Sequence, residues 1–266
     1  VIKKLKLKIG QLGIRLIRFT ARKAKLDLIR IAYSENGISK SYNLTASGEH
    51  YFISKYLPTI IKSENPVLFD VGANVGEYAN LLRKTFRTAE IHSFEPNPST
   101  FLQLQKNCPA PTHCINLGIG ENSGEIDLFF DSSQPTSVQA TSDPEILKTI
   151  AKPDQITAVK IQVSSLDDYC EQHQIEHIDL LKIDIEGFEL EALKGAKTLL
   201  AIGAIKVIQF EFNEVNIVKR RFLKDFFDLL PGFDFYRLDE KRLIPLNEWQ
   251  PILEIFLFQN IVAIKK

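Results

Sequence analysis

The sequence predicts an α/β fold: a largely parallel sheet with helices on both faces. Three observations carry that reading. Short apolar runs of β character alternate with segments of helical periodicity from Val67 to Phe212. Four of those runs end in or beside an acid (Asp70, Glu95, Asp184 and Glu211), as strand ends do around a ligand crevice. The first run is followed by a glycine-punctuated turn from Gly72 to Gly76 that leads into a helical segment. With 266 residues, 44% of them hydrophobic, the chain can bury a core sized for one α/β domain and an appendage.

Taken in order, Ile2, Leu5, Ile9, Leu12, Leu16 and Phe19 recur at spacings of three and four, which is one face of a helix. Lys3, Lys4, Lys6, Lys8, Arg15, Arg18, Arg22, Lys23 and Lys25 flank that face. The expectation is packing on its own domain or on a second subunit in a homo-oligomer. The alternatives are peripheral contact of residues 1–30 with an anionic membrane, on its inner face, and disorder. Ile38–Asn43 reads as a turn or short edge strand, and Thr45–Lys62 as a helix that Pro58 kinks or ends early. Ser63-Glu64-Asn65-Pro66 breaks the chain, so residues 1–64 read as a helical extension and 65–266 as the main domain.

Val67–Val71 is the first strand and Ile91–Glu95 the second, followed by a helix over Pro98–Asn107. Thr112–Leu117 is a third strand, closed by Gly118-Ile119-Gly120. Gly124–Asp131 alternates like a hairpin arm, and Val159, Ile161 and Val163 alternate as its partner. Between them, residues 132–156 are polar and hold three prolines, the composition of a lid, with one possible turn at Pro144–Ile150. Ser165 and Asp168 approximate a capping box that starts a short helix. Ile178–Ile185 is a fourth parallel strand, followed by a helix carrying Leu190, Leu193, Ala196 and Leu199. Ile205–Phe212 is the fifth, Val215–Leu230 a helix, and Phe233–Leu238 and Ile255–Ile264 the last two strands.

The formal net charge of zero is unevenly spread. Val1–Arg30 holds ten Lys or Arg and one acid, Asp27, which leaves 23 bases against 32 acids elsewhere. An acidic main domain argues against a nucleic-acid partner. Cys108, Cys114 and Cys170 are irregularly spaced, fit neither a disulfide framework nor a zinc motif, and read as reduced thiols of a cytoplasmic protein. No apolar run reaches the ~18 residues of a bilayer span, and lysines interrupt the start too often for a secretory signal. A chain without methionine that begins at Val1 fits a bacterial reading frame opening on GTG, the preferred reading, or a trimmed fragment.

The strand-end residues suggest a ligand. Gly72 and Gly76 let backbone approach it closely. Glu95 lies 19 residues past Gly76, about where a ribose-binding acid is expected, and would accept two hydrogen bonds from a diol. Acids converging on one sheet edge favour a positive centre, and S-adenosylmethionine combines a sulfonium with a ribose. A dinucleotide fits less well, because the Gly-x-Gly-x-x-Gly that cradles a pyrophosphate is absent.

Phe69-Asp70-Val71-Gly72-Ala73-Asn74-Val75-Gly76, Phe94-Glu95-Pro96-Asn97-Pro98, Ser165-Leu166-Asp167, the block from Lys182 to Glu189 and Leu193-Lys194-Gly195-Ala196 resemble the FkbM-type S-adenosylmethionine-dependent methyltransferases. The resemblance runs from about Val67 to Phe212. It implies the Rossmann-like class I methyltransferase fold, a seven-stranded sheet with the last strand antiparallel. It also implies O-methylation of sugar or natural-product hydroxyls; the basic start adds a lipid-linked saccharide to the candidate acceptors. By the same resemblance, Asp70, Gly72, Asn74 and Gly76 would hold the methionine part of the cofactor, Glu95 its ribose, and Gly118 and Ile119 its adenine. Asp184 lies where the methyl group should be. Asp184 and Glu186 are the first candidates for a general base, with His173 and His177 as alternatives. Asp184, Glu211 and Asn213 offer oxygens that could hold Mg²⁺, although local hydrogen bonding by Glu211 and Asn213 is the preferred reading. Two other classes compete: an NAD-dependent oxidoreductase or epimerase, resting on Glu95, and a catalytically silent binding module.

Overall fold

The computed structural model describes residues 2–38, 43–131, 133, 140–151, 153 and 155–266. The middle of the turn expected over Ile38–Asn43 and most of the first part of the polar insertion lie outside them. In chain order the strands are β1 (Val67–Val71), β2 (Glu90–Phe94), β3 (Thr112–Ile115), β4 (Gly118–Ile119), β5 (Gly124–Asp131) and β6 (Ile156–Ser164), then β7 (Ile178–Ile183), β8 (Ile205–Phe212), β9 (Phe233–Asp239), β10 (Arg242–Pro245) and β11 (Gln259–Lys265).

The main sheet runs β10-β9-β11-β8-β7-β1-β2-β3. Strands β8, β7, β1, β2 and β3 are mutually parallel, and β11 runs antiparallel between β8 and β9. The sheet has eight strands where seven were expected. The addition is β10, which folds back on β9 and is closed by Pro245; four residues are too few to show a period. From β1 the chain moves outward to β2 and β3, then crosses to β7 on the other side. The direction therefore switches between β1 and β7, where open α/β sheets form a crevice. A second sheet, β4-β6-β5, follows the predicted alternation: β5 and β6 pair antiparallel from Gly124–Val163 to Asp131–Ile156.

Strand alternation divides the core between the two faces of the main sheet. Phe69, Phe94, Leu181, Ile183 and Phe210 pack on one face against the helices carrying Leu166, Leu190, Leu193 and Phe226. Leu68, Ile91, Leu180 and Val207 pack on the other against Tyr78, Leu82, Phe52, Ile53 and Leu57. The last three come from a helical run over residues 49–60, so part of the N-terminal extension is built into the second core. The run ends at Ile60, two residues past Pro58 and short of the expected Lys62. Pro58 has no N–H for the carbonyl of residue 54, and the turn Phe52–Tyr56 opens to π geometry before the helix continues to Ile60.

Two predicted helices are each split. The helix after β7 breaks into Glu189–Lys194 and Lys197–Ala201 around Gly195, where an added Cβ would lie 2.1 Å from the Gly120 carbonyl oxygen. The helix after β8 breaks into Val215–Lys219 and Leu223–Leu229 at Arg220, whose φ is +53°. Glu254 caps the second piece by accepting from the backbone N–H groups of Leu223 and Lys224. The last strand starts at Gln259 rather than Ile255, after a 3₁₀ turn at Pro251–Leu253. Deleting one large side chain of the second core tests its weight: Phe52→Ala should lower the unfolding free energy by about 3–5 kcal/mol in urea titrations. A change below about 1 kcal/mol would mean that the 49–60 run is not part of the core.

Candidate functional site

A cavity of about 1290 Å³ opens at the carboxyl ends of the parallel strands. Its floor is the switch between β1 and β7. These strands are in register, with Asp70 opposite Lys182. Lys182 is buried in a strand buried along its whole length. Its ammonium lies 3.2 Å from Asp70 Oδ1 and 3.5 Å from Asp184 Oδ2, and donates to the Gly72 carbonyl at 3.1 Å. Burial alone would lower the Lys182 ammonium, but the carboxylates of Asp70, Asp184 and Glu49 outweigh it and hold the group charged. Burial raises the Asp70 carboxyl, and Lys182 opposes that.

Above this pair the backbone turns through Gly72 at φ +79°. A Cβ there would lie 1.8 Å from the Asp184 carbonyl oxygen, so only glycine lets the two strand ends approach this closely. The Asp184 N–H donates to the Val71 carbonyl, and Gly72 and Ala73 donate to Phe94 O, tying together the ends of β7, β1 and β2. Asn74 follows in the left-handed region at φ +47°. Its N–H donates to Glu95 Oε2 at 3.0 Å, while Asn97 N–H donates to Glu95 Oε1 at 2.9 Å. Burial still pushes the Glu95 carboxyl up to about 7, the two backbone donors pulling the other way.

One wall of the cavity gathers acids. Asp184, Glu186, Glu191, Glu211 and Glu214 all line it, and Lys182 is the one cationic side chain on the lining among the described residues. Burial raises the Glu186 and Glu211 carboxyls well above their usual range, and Asp184 adds to both. Glu186 is held at φ +54° in the turn after β7. Glu189, one step farther, accepts from the Ile185 and Gly187 N–H groups and so braces that turn. The lining also takes in the small sheet, through Gly118, Ile119, Leu128 and Phe129, and the insertion, through Ala140, Thr141 and Ile150; Thr141 Oγ1 donates to the Glu186 carbonyl at 3.4 Å, so the insertion adjoins the acidic wall.

Of the residues singled out in the sequence, Gly72, Asn74, Glu95, Gly118, Ile119, Asp184, Glu186, Glu211 and Asn213 line this one cavity. Asp70 and Gly76 do not. Asp70 is fully buried beneath the floor against Lys182, so it supports the site rather than facing a ligand. Gly76, at φ +91°, packs against Leu104 and Cys108 below the turn. His173 packs on the Tyr169 ring and His177 faces Asp179; neither borders the cavity. The Asn213 side-chain amide donates to Glu211, and its Oδ1 accepts from Val215 N–H at 2.9 Å.

Lys182 at the floor and Glu49 are among the lining residues that the sequence reading did not assign to the site. Lys182 carried a signal, since a lysine in a largely apolar strand needs a buried acid in register. Glu49 carried none. It reaches the cavity from the extension, accepting from Ser47 Oγ and Gln209 Nε2 at 2.8 Å each, and burial raises its carboxyl.

The family model for the methyltransferase FkbM domain matches residues 70–237, from the floor acid of β1 to β9. The chain belongs to the methyltransferase FkbM domain family. A curated relative, the hexuronic acid methyltransferase AglP of Haloferax volcanii, is 33% identical over 154 residues, covering 58% of this chain and 57% of that protein. The 2-O-methyltransferase NoeI of Sinorhizobium fredii is 23% identical over 196 residues, covering 68% of this chain and 78% of that one. Among solved structures, a methyltransferase FkbM of Methylobacillus flagellatus KT is similar at a TM-score of 0.45 and 15% identity, over 80% of this chain and 47% of that chain. The chain thus spans little more than half of the first of these relatives. The FkbM match takes in the cavity wall from Gly72 to Val215 and leaves out Leu44, Glu49, Phe258 and Asn260, which also line it.

Proposed function

We propose that this chain is an S-adenosylmethionine-dependent O-methyltransferase whose acceptor is a hydroxyl of a sugar or glycan. The observation that carries the reading is the acid-lined cavity at the β1/β7 switch, with Glu95 on its rim and bare backbone at Gly72. The family and the names of two relatives, a hexuronic acid methyltransferase and a 2-O-methyltransferase, support it.

The residues present suit this cofactor. Glu95 already accepts one backbone N–H on each oxygen, which aims its remaining lone pairs at a ribose diol. The acidic wall of Asp184, Glu186 and Glu211 favours a cation, and the cofactor supplies an electrophilic methyl group on positively charged sulfur. Methyl transfer is an in-line displacement, so the protein's main task is alignment of the acceptor oxygen. The hydroxyl must also lose its proton. Asp184 and Glu186 line the wall where a base is required, and the raised Glu186 carboxyl ionises more readily once a cation shares the cavity. Phe129 and Phe188 on the same lining offer flat apolar faces to a sugar ring.

Calorimetry with S-adenosylhomocysteine is the direct test. Glu95 must be ionised for both its oxygens to accept from the two hydroxyls of a diol, and its carboxyl is raised to about 7. Affinity should therefore be full above pH 7 and fall as pH drops through 7, by roughly tenfold between about pH 8 and pH 6. Glu95→Gln should bind weakly and without that slope. Absence of binding at sub-millimolar ligand would overturn the cofactor assignment. For the base, Glu186→Gln or Asp184→Asn should slow methyl transfer to a hexuronate-containing acceptor by about 10²–10⁴-fold. S-adenosylhomocysteine affinity should change little; unchanged rates in both variants would remove these carboxylates from the chemistry.

A further inference from the structure

The helices before the main domain carry a surface that the cavity does not use. Helix α1 (Ile2–Ala24) and helix α2 (Leu28–Ser34) are joined by a short turn at Lys25. Of the fifteen exposed large apolar side chains of the described residues, eight fall between Ile14 and Ile31: Ile14, Leu16, Ile17, Phe19, Leu26, Leu28, Ile29 and Ile31, each 39–66% exposed. The other seven are scattered over the remaining chain, so this run is a patch and not ordinary surface apolarity. The main domain leaves it uncovered; in this stretch only Ala21 is buried.

The charge around the patch is mostly of one sign. Arg15, Arg18 and Arg22, spaced three and four apart, form a single exposed line along α1, and Lys23, Lys25 and Arg30 are exposed beyond it. The α1 sequence holds eight Lys or Arg and no acid. Two acids lie nearby: Asp27 caps α2, accepting from the Ile29 and Arg30 N–H groups at 3.0 and 3.1 Å, and Glu35 is exposed at its C-terminal end. Pairing α1 with the α1 of a second copy would set like charges against each other, without the acid–base pairs that flank a stable helix seam. An anionic bilayer has the opposite character at each level. Its acyl boundary takes the apolar side chains, and its headgroups take the long basic ones, whose stems lie along the apolar surface.

The patch is also anchored. Arg242 donates to the Glu35 carbonyl at 2.7 Å and Arg237 to the Asn36 carbonyl at 3.3 Å, fixing the end of α2 to the β9–β10 edge of the main sheet. Gly37, at φ +71°, lies directly against the Leu238 carbonyl, where a Cβ would come within 2.2 Å. We propose that α1 and α2 form a docking surface for an anionic phospholipid bilayer, with Ile14, Leu16, Ile17 and Phe19 entering the interface and Arg15, Arg18 and Arg22 on its headgroups.

Vesicle flotation of the full chain tests this, with phosphatidylcholine vesicles alone and with about a third of the lipid replaced by phosphatidylglycerol. Partition should be at least about tenfold greater onto the anionic vesicles and should fall in ~0.5 M salt. The triple variant Arg15→Glu, Arg18→Glu, Arg22→Glu and the pair Leu16→Ser, Phe19→Ser should each lose at least about tenfold in partition, while thermal unfolding by circular dichroism stays as in the parent, since all five side chains are exposed. Equal partition onto both vesicle types, or undiminished binding by the triple variant, would overturn the proposal. So would a concentration-dependent dimer in light scattering, abolished by Leu16→Ser and Phe19→Ser, without vesicle binding; the occupant would then be a second copy.

Discussion

The buried ion pair between Asp70 and Lys182 is the constraint on which the site depends. An isolated charge at either position would be strongly disfavoured, because both side chains are cut off from water. In-register pairing of β1 with β7 places one opposite the other, and the remaining ammonium valences go to the Gly72 carbonyl and the Asp184 carboxylate. The same lysine thus holds the floor of the β1 strand, the turn that follows it and the first acid of the cavity wall. Replacing such a pair with apolar residues is often neutral, whereas removing one partner is costly. Its value here lies in where it puts Gly72 and Asp184, more than in stability.

From that floor the chemistry of the cavity follows. Carboxyls crowd one wall with a single ammonium beneath them, so burial and mutual repulsion push Glu186 and Glu211 toward their neutral forms. A ligand carrying positive charge relieves that crowding. Glu95 stands apart from that wall: its two backbone donors fix its orientation, and burial raises its carboxyl to about 7. The crowded carboxyls and the oriented one therefore come from separate strand ends, β7–β8 and β2, joined at β1.

Much of this was legible in the sequence because it follows local rules. The strand–acid–glycine order from Val67 to Gly76, the acid at Glu95 and the alternation of β5 and β6 depend only on neighbouring residues, and all appear in the fold. What escaped depends on contacts between distant segments. Asp70 looks like a ligand residue until the register with Lys182 is known, and Gly76 until Leu104 and Cys108 are seen beneath it. The splits at Gly195 and Arg220 arise from packing against Gly120 and from the capping of Leu223 by Glu254, partners dozens of residues away. Glu49 could not be found, because only the docking of the 49–60 run on the far face of the sheet carries it to the cavity.

A double-mutant cycle at the floor tests the central claim most directly: Lys182→Met, Asp70→Leu and the two combined, measured by urea unfolding. Each single change should cost about 3–5 kcal/mol by stranding a buried charge, and the combined variant should be more stable than either. Losses that simply add, or single changes that cost less than about 1 kcal/mol, would show that the two groups do not depend on each other and that the floor is held in some other way.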